Sequence, residues 1–303
     1  MPDHSVDIPL QPLIDEITRK YGVNLYLLRT DLNHPEISGN KLFKLRYNLE
    51  EAKRQAKEGI LTFGGAFSNH IAATAAAGKE QGFRTFGIIR GEQTAELNPT
   101  LAFAKKQGMQ LHFVSREAYR RKDDPGFLEL LNLNGVDPAG LYIIPEGGAN
   151  TLGVKGCMEI RDHIHIPFDH ICCACGTGTT LAGIILSLRG DEKALGFQVL
   201  KGEGYMHGEV QPWLTEFQHT KQNWSIAEEY HFGGYAKLKP ELLSFIKRFE
   251  STHNIPLDFI YTAKMMYGIY DLIKKGSFKT GETVIAVHTG GLLGNAGFAD
   301  QIV

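Results

Sequence analysis

The chain has 303 residues, 43% of them hydrophobic, and its 32 basic and 34 acidic residues leave a formal net charge of −2. This composition is typical of a globular protein and gives no electrostatic reason to expect a nucleic-acid or membrane partner. Residues 1–9 lack the basic and apolar regions of a secretory signal, and no apolar run has the length needed to span a bilayer. We therefore expect a cytoplasmic protein that binds neither nucleic acid nor a membrane.

Short apolar runs alternate with helical patterns along nearly the whole chain. The predicted strands cover residues 24–28, 61–63, 85–90, 110–114, 141–144, 170–174, 197–200, 259–261 and 284–288. The predicted helices cover residues 47–58, 69–81, 179–189, 240–253 and 265–275. Several strand runs are continuously apolar, as is typical of parallel strands covered on both faces. The alternation predicts an α/β protein with doubly wound, mostly parallel sheets.

The predicted elements fall into two groups. Residues 46–152 contain one compact set of strands and helices, and the remaining elements can supply a larger sheet. We therefore expect a smaller α/β domain over residues 46–152 and a larger domain built from residues 1–45 and 153–303.

The cysteines favour a reducing compartment over a disulfide framework. Three of the four, Cys172, Cys173 and Cys175, lie in one apolar run, where neighbouring side chains of a strand point to opposite faces. No Cys or His cluster with metal-ligand spacing accompanies them. We interpret them as reduced, buried thiols and predict no metal site.

A glycine-rich turn after the apolar run at 170–174 carries the strongest ligand signal. Residues 176–180, with the sequence Gly-Thr-Gly-Thr-Thr, open a predicted helix, where backbone N–H groups and the helix dipole favour an anion such as phosphate. The turn is not a dinucleotide fingerprint, because Leu181 stands at the third glycine position. It is not a Walker A loop either, because no lysine follows at the required place. A tight strand-to-helix turn without a ligand is the alternative for this loop considered alone.

Two further turns end predicted strands. The turn at Gly64–His70 precedes a helix that Ser68 or Asn69 can cap, and its backbone N–H groups could hold a carboxylate. The turn at His288–Gly294 follows the last predicted strand. Because ligands of open α/β sheets bind at the carboxyl ends of strands, we expect the three turns to share one cleft.

Lys41 is the candidate nucleophile. It lies between a Gly-Asn pair and an apolar Leu-Phe pair. An apolar setting lowers the pKa of a lysine and makes its neutral amine available for attack. A lone lysine is usually a solvated surface charge, and Lys44 is the local competitor for the same role.

Together these motifs resemble those of the pyridoxal-phosphate family of 1-aminocyclopropane-1-carboxylate deaminases and D-cysteine desulfhydrases, from about residue 8 to the C-terminus. The resemblance implies two domains of the tryptophan-synthase-β-like kind (fold type II), pyridoxal 5′-phosphate as cofactor, a small amino-acid substrate and a homodimer. It also implies that Lys41 binds the cofactor covalently, that Asn69 lies beside the cofactor's 3′ oxygen, and that Thr289 approaches its pyridine ring. The implied phosphate cup consists of Gly176, Thr177, Gly178, Thr179 and Thr180.

The resemblance places five residues around the substrate. Ser68, Asn69 and His70 would form the loop that binds the substrate carboxylate, with Ser68 a candidate for proton transfer. Tyr261 and Tyr235 would also face the substrate and count with Lys41 and Ser68 as catalytic.

Three positions separate the two branches of this family. Ring-opening deaminases typically carry Glu, Leu and Gln where this chain has Thr262, Thr289 and His70, so all three resemble the desulfhydrase branch. A carboxylate near the pyridine nitrogen strengthens the electron sink more than a hydroxyl does, and expulsion of a thiolate needs a weaker sink than cyclopropane opening. We therefore predict a D-cysteine desulfhydrase, which eliminates sulfide and yields pyruvate and ammonia.

Three alternatives stay open. The first is a 1-aminocyclopropane-1-carboxylate deaminase, which opens the ring to 2-oxobutanoate and ammonia. The second is a pyridoxal-phosphate-binding protein with little catalysis of its own. The third, a nucleotide-binding oxidoreductase, is disfavoured by Leu181, and Glu203 is the sole candidate for the acidic residue that such a site needs.

Overall fold

Ten strands form two separate sheets in the computed structural model, which describes residues 7–129, 131, 133 and 135–301. The strands are β1 (Leu10–Pro12), β2 (Asn24–Leu28), β3 (Gly59–Gly65), β4 (Arg84–Arg90), β5 (Gln110–Val114), β6 (Leu141–Ile144), β7 (His170–Cys175), β8 (Lys193–Gln198), β9 (Trp224–Ala227) and β10 (Thr283–Val287). The α-helices are α1 (Glu16–Tyr21), α2 (Asn40–Arg54), α3 (Asn69–Gln81), α4 (Pro99–Lys106), α5 (Arg116–Arg120), α6 (Thr151–Met158), α7 (Thr179–Ser187), α8 (Tyr205–Glu216), α9 (Pro240–His253) and α10 (Thr262–Lys274).

Both sheets are built from parallel strands joined through helices. The smaller sheet has the order β5-β4-β3-β6, with all neighbours parallel. The larger sheet has the order β1-β2-β10-β7-β8-β9, in which β1 alone runs antiparallel to its neighbour. The predicted α/β fold with two mostly parallel sheets is confirmed.

The larger sheet is buried on both faces, as its continuous apolar strands predict. Cys172 lies in the hydrophobic core on one face, whereas Cys173 and Cys175 lie in the core on the other. All four cysteines are free and buried, so the interpretation of buried thiols is confirmed. Among the described residues, no helix combines the length and apolar character needed to cross a membrane.

Three predicted elements differ most from the structure. Residues 259–261 form a turn rather than a strand, because the Asp258 carboxylate accepts the N–H groups of the next residues and starts α10. The helix predicted at 47–58 begins earlier, at Asn40, and ends at Arg54. The strand predicted at 197–200 is shifted towards the N-terminus and covers Lys193–Gln198.

The predicted domain boundaries stay a prediction. The smaller sheet draws its strands from residues 59–144, and the larger sheet from 10–28 and 170–287. Helix α2, which carries Lys41, continues without a break across the predicted boundary at residues 45 and 46. It therefore links the two parts of the chain as one rigid element.

Candidate active site

A cleft of about 1170 Å³ lies where the carboxyl ends of β3, β7 and β10 meet. Eleven of the twelve predicted site residues line it: Lys41, Ser68, Asn69, His70, Gly176, Thr177, Gly178, Thr180, Tyr235, Tyr261 and Thr289. Thr179 is the exception, since its side chain is fully buried below the cleft. The three turns therefore share one cleft, as their positions at strand ends predict.

Lys41 stands in the first turn of α2, where its partly buried side chain faces the cleft. Its ammonium group donates a 3.2 Å hydrogen bond to the side-chain oxygen of Asn40. Burial, and then the positive charge of Lys44, lowers the pKa of Lys41 to about 7. A large fraction of its amine is therefore neutral near neutral pH, which is the state a nucleophile requires.

Lys44 follows on the same face of α2, and its side chain is buried. Its Nζ donates to the carbonyl oxygen of Gly147 at 3.0 Å and to Oγ1 of Thr177 at 3.3 Å. Burial lowers its pKa from the ordinary value. From the sequence, we considered Lys44 only as a competitor of Lys41 for the role of nucleophile. The three-residue spacing of the two lysines indicates in addition that both side chains lie on the same face of a helix.

The turn at Gly176–Thr180, here called the cup, joins β7 to α7. Gly178 adopts a left-handed conformation with φ of 69° and directs the chain into the first turn of the helix. The hydroxyls of Thr177 and Thr179 lie 3.1 Å apart, and Thr180 accepts a 2.8 Å hydrogen bond from the side-chain amide of Asn40. With Lys44 beside it, the cup combines a helix N-terminus, hydroxyl groups and a lysine, which suits a phosphate group.

The turn at Gly64–His70 begins α3. The hydroxyl of Ser68 accepts a 3.3 Å hydrogen bond from the N–H of Ile71 and so caps the helix. That contact uses an oxygen lone pair and leaves the hydroxyl proton available for donation. Asn69 packs against the turn at His288–Gly294, here called the third turn. A Cβ on Gly291 in this turn would lie 2.4 Å from the amide nitrogen of Asn69.

His70 is turned away from its predicted role. Its Nε2 lies 2.8 Å from the hydroxyl of Thr62, which donates its own proton to the carbonyl oxygen of Ile144 at 2.8 Å. Nε2 of His70 must therefore be the donor to Thr62, so Nδ1 is an acceptor. Burial, and then the charges of Lys41 and Lys44, lowers the pKa of His70 well below its usual value. A neutral ring with this tautomer has no N–H left for a substrate carboxylate, so donors there must come from the backbone N–H groups of the turn and from Ser68 and Asn69.

Tyr261 and Tyr235 form an edge-on pair with ring centres 6.2 Å apart. The ring of Tyr261 closes over the cup, because a Cβ on Gly176 would lie 3.1 Å from it. Burial raises the pKa of both phenols. Both hydroxyls therefore stay protonated at neutral pH and can act as donors.

The residues that separate the two branches occupy different surroundings. Thr289 is 8% exposed and reaches the cleft. Thr262 is fully buried beside Tyr261, does not line the cleft, and its hydroxyl makes no hydrogen bond with the described residues. Among the three, Thr289 and His70 therefore contribute to the cleft wall and Thr262 does not.

Four basic residues that the sequence analysis did not foresee also line the cleft. They are Arg90, Arg116, Arg120 and Lys122. Three acidic residues, Asp123, Glu146 and Glu209, line the same cleft. In the part of the chain that the structure describes, no group of three or more His, Cys, Asp or Glu residues is arranged to hold a metal ion.

Comparisons with known proteins agree with this geometry. The model of the family described as pyridoxal-phosphate dependent enzyme matches residues 6–290. A putative 1-aminocyclopropane-1-carboxylate deaminase of Thermotoga maritima is 31% identical over 95% of this chain and 96% of its own length. The bifunctional D-cysteine desulfhydrase/1-aminocyclopropane-1-carboxylate deaminase, mitochondrial, of Arabidopsis thaliana is 32% identical over 93% of this chain and 75% of its own length. A solved structure of a 1-aminocyclopropane-1-carboxylate deaminase homologue has a TM-score of 0.83 at 29% identity and covers 98% of this chain and 93% of its own.

The cleft has the groups that this cofactor requires. Lys41 offers a partly neutral amine for the aldehyde, and the cup with Lys44 offers donors for the phosphate. The family match, the similarity to the solved structure and the fit of the cleft lead to one conclusion: the chain belongs to the family of pyridoxal-phosphate dependent enzymes.

Proposed function

We propose that this enzyme is a lyase that removes sulfide from D-cysteine and releases pyruvate and ammonia. The observation that carries the proposal is Lys41, an amine with a lowered pKa at the floor of a cleft that also holds the cup. The overall reaction converts D-cysteine and water to pyruvate, hydrogen sulfide and ammonia. The names of the relatives support this activity and cyclopropane opening equally.

The bound cofactor supplies the electron sink that stabilises negative charge at the substrate Cα. Lys41 would hold the cofactor, and its amine, when free and neutral, can accept the proton from Cα. The backbone N–H groups at the start of α3 hold the substrate carboxylate, and the Ser68 hydroxyl is placed beside them for proton transfer.

The tyrosine pair serves the other end of the substrate. Tyr261 and Tyr235 stay protonated because burial raises the pKa of both phenols. A neutral phenol can donate a hydrogen bond to the thiolate that leaves Cβ and so stabilise its negative charge. The pair therefore supports an elimination that expels sulfur as an anion.

The choice of branch depends on the third turn. Thr289 brings a hydroxyl rather than a carboxylate to the cleft. The nearby Asp258 carboxylate is occupied by three backbone N–H groups at the start of α10. This arrangement supports the weaker electron sink that thiolate expulsion needs, with 1-aminocyclopropane-1-carboxylate deamination as the second candidate and cofactor binding with little turnover as the third.

The test is product analysis of the purified, cofactor-loaded protein with D-cysteine and, in parallel, the cyclopropane amino acid. We expect equal amounts of pyruvate and sulfide from D-cysteine, and none from the Lys41→Ala variant. Formation of 2-oxobutanoate from the cyclopropane substrate alone would reject the desulfhydrase and favour the deaminase. No product from either would favour the non-catalytic candidate.

Two further properties belong to the same proposal. We propose that the enzyme works as a homodimer, which the family resemblance implies, and in the cytoplasm, which four buried free thiols support. Light scattering of the purified protein tests the first property, and a mass of one chain, 33.6 kDa, would reject it. Fractionation of cells that express the protein tests the second.

A further inference from the structure

Lys264 is an ammonium group buried in the interior of the protein. It lies in the first turn of α10, and its side chain is completely inaccessible to solvent. Its Nζ donates two hydrogen bonds, to the carbonyl oxygen of Gly234 at 2.7 Å and to that of His231 at 3.0 Å. A buried cation is costly unless its donors are satisfied, so these two carbonyl oxygens are its principal partners.

Both carbonyl groups belong to the loop at 231–236, whose backbone is strained. Phe232 and Ala236 have φ angles of 54° and 56°, in the left-handed region that residues other than glycine rarely adopt. Gly233 and Gly234 between them also have positive φ, at 99° and 116°. Four such residues within five positions need external contacts to hold one conformation.

This loop presents Tyr235 to the cleft. Tyr235 as a whole is 39% exposed, and its ring meets Tyr261 edge-on. Asp258, which lies near Lys264 and opposes the lowering of its pKa by burial, accepts the backbone N–H of Tyr261 at 2.8 Å. The two oppositely charged side chains thus contact the two backbone segments that carry the tyrosine pair.

We propose that Lys264 is a positioning residue that holds the loop at 231–236 in its strained conformation and so keeps Tyr235 opposite Tyr261. The inference rests on the proposed function only where it concerns the substrate that the tyrosine pair contacts. Burial lowers the pKa of Lys264 to about 8, so the side chain remains largely charged at neutral pH. The effect on loop order is independent of which amino acid the enzyme uses.

The first test measures loop order without any substrate. Hydrogen exchange of amides 232–236 is compared in the wild-type protein, in Lys264→Met and in Lys274→Met, a control that removes an exposed lysine at the end of the same helix. We expect exchange in the loop to accelerate about tenfold or more in Lys264→Met alone, with α9 unchanged. Equal exchange in all three proteins would overturn the proposal. If Lys264→Met does not fold, Lys264→Gln, which keeps an uncharged amide donor group, takes its place with the same expectation.

The second test asks whether Lys264 acts through Tyr235. Lys264→Met, Tyr235→Ala and the double variant are compared by kcat/KM on the substrate that proves active. We expect each single change to lower kcat/KM about tenfold to a hundredfold. The double variant should lose no more activity than the more impaired of the two single variants. If the loss of kcat/KM in the double variant equals the product of the two single losses, Lys264 does not act through Tyr235, and the positioning role is overturned. A protein that turns over neither amino acid refutes the proposed function, and the exchange measurement still decides the role of Lys264.

Discussion

The side-chain amide of Asn40 donates a 2.8 Å hydrogen bond to the hydroxyl of Thr180, and this contact joins the helix of Lys41 to the cup. Both side chains are buried, at 8% and 5% exposure. The residue before the nucleophile is therefore fixed to the predicted phosphate site. Through this bond, the distance between the amine and the cup is set by the fold before any ligand binds.

Asn40→Ala and Thr180→Val are each expected to weaken binding of pyridoxal phosphate about tenfold. Loss of a buried hydrogen bond costs about 1–1.5 kcal/mol, which corresponds to that factor. Absorbance titration of the cofactor-free protein measures the dissociation constants. The double variant should bind no worse than the weaker single variant, because both remove the same bond. If the double variant loses affinity by the product of the two single losses, Asn40 and Thr180 do not act through one shared hydrogen bond.

Attachment of pyridoxal to the cofactor-free protein is expected to become faster with rising pH and to level off above about pH 8. The reason is that only the neutral amine reacts, and the pKa of Lys41 is lowered to about 7. Lys44→Met removes a positive charge that lowers this pKa, so the midpoint should move to higher pH. Pyridoxal lacks the phosphate, so loss of the Lys44 contact with the cup does not affect the comparison. The Lys41→Ala variant gives the background rate. If the midpoint of the pH dependence in Lys44→Met stays in place or moves to lower pH, Lys44 does not lower the pKa of Lys41.

Gly39→Ala is expected to destabilise the protein more than Gly82→Ala. Both glycines have positive φ, 73° and 77°, so either alanine costs at least about 1–2 kcal/mol of backbone strain, and the ψ of −150° at Gly39 is the less favourable for alanine. A Cβ at Gly39 would also lie 2.0 Å from the carbonyl oxygen of Thr289, whereas a Cβ at Gly82 meets no atom within 4 Å. The clash adds about 1–3 kcal/mol. Urea unfolding of the cofactor-free proteins measures the difference, and equal losses would contradict the close packing of Gly39 on the third turn.

The free energy of unfolding is expected to fall between pH 7.5 and 5.5 by up to about 1.4 kcal/mol more in the wild type than in His70→Gln. Burial lowers the pKa of His70 in the folded state, so the unfolded chain binds its proton first as the pH falls below about 6.5. Protonation of the unfolded state then favours unfolding, and the glutamine variant lacks this contribution. The exposed His165→Gln provides the control and should resemble the wild type. A His70→Gln variant that loses as much stability as the wild type would contradict a buried, neutral His70.

The fold was predictable because its signals are local. Continuous apolar runs such as β7 and β10 indicate strands buried on both faces, and Gly82 marks the end of α3. The strand predicted at 259–261 failed for an equally local reason. Its apolar residues resemble a strand, but the Asp258 carboxylate accepts the backbone N–H groups of Ile260, Tyr261 and Thr262, and these hydrogen bonds fold the segment into a turn.

The site was predictable where backbone and motif define it, and less so where side-chain direction matters. The sequence identified the turns that meet in the cleft, because strand ends determine their place. It could not show that Thr179 lies below the cleft or that His70 points to Thr62. Lys264 gave no signal at all, since its partners are backbone carbonyl groups 30 and 33 residues away in the chain.

We propose that Lys41, and not Lys44, carries the cofactor. Borohydride reduction of the cofactor-loaded protein makes the bond permanent, and peptide mapping by mass spectrometry then identifies the modified lysine. We expect the pyridoxyl group on Lys41, with Lys44 unmodified because its Nζ donates to Gly147 and Thr177. A pyridoxyl group on Lys44, or none on either lysine, would contradict the proposal.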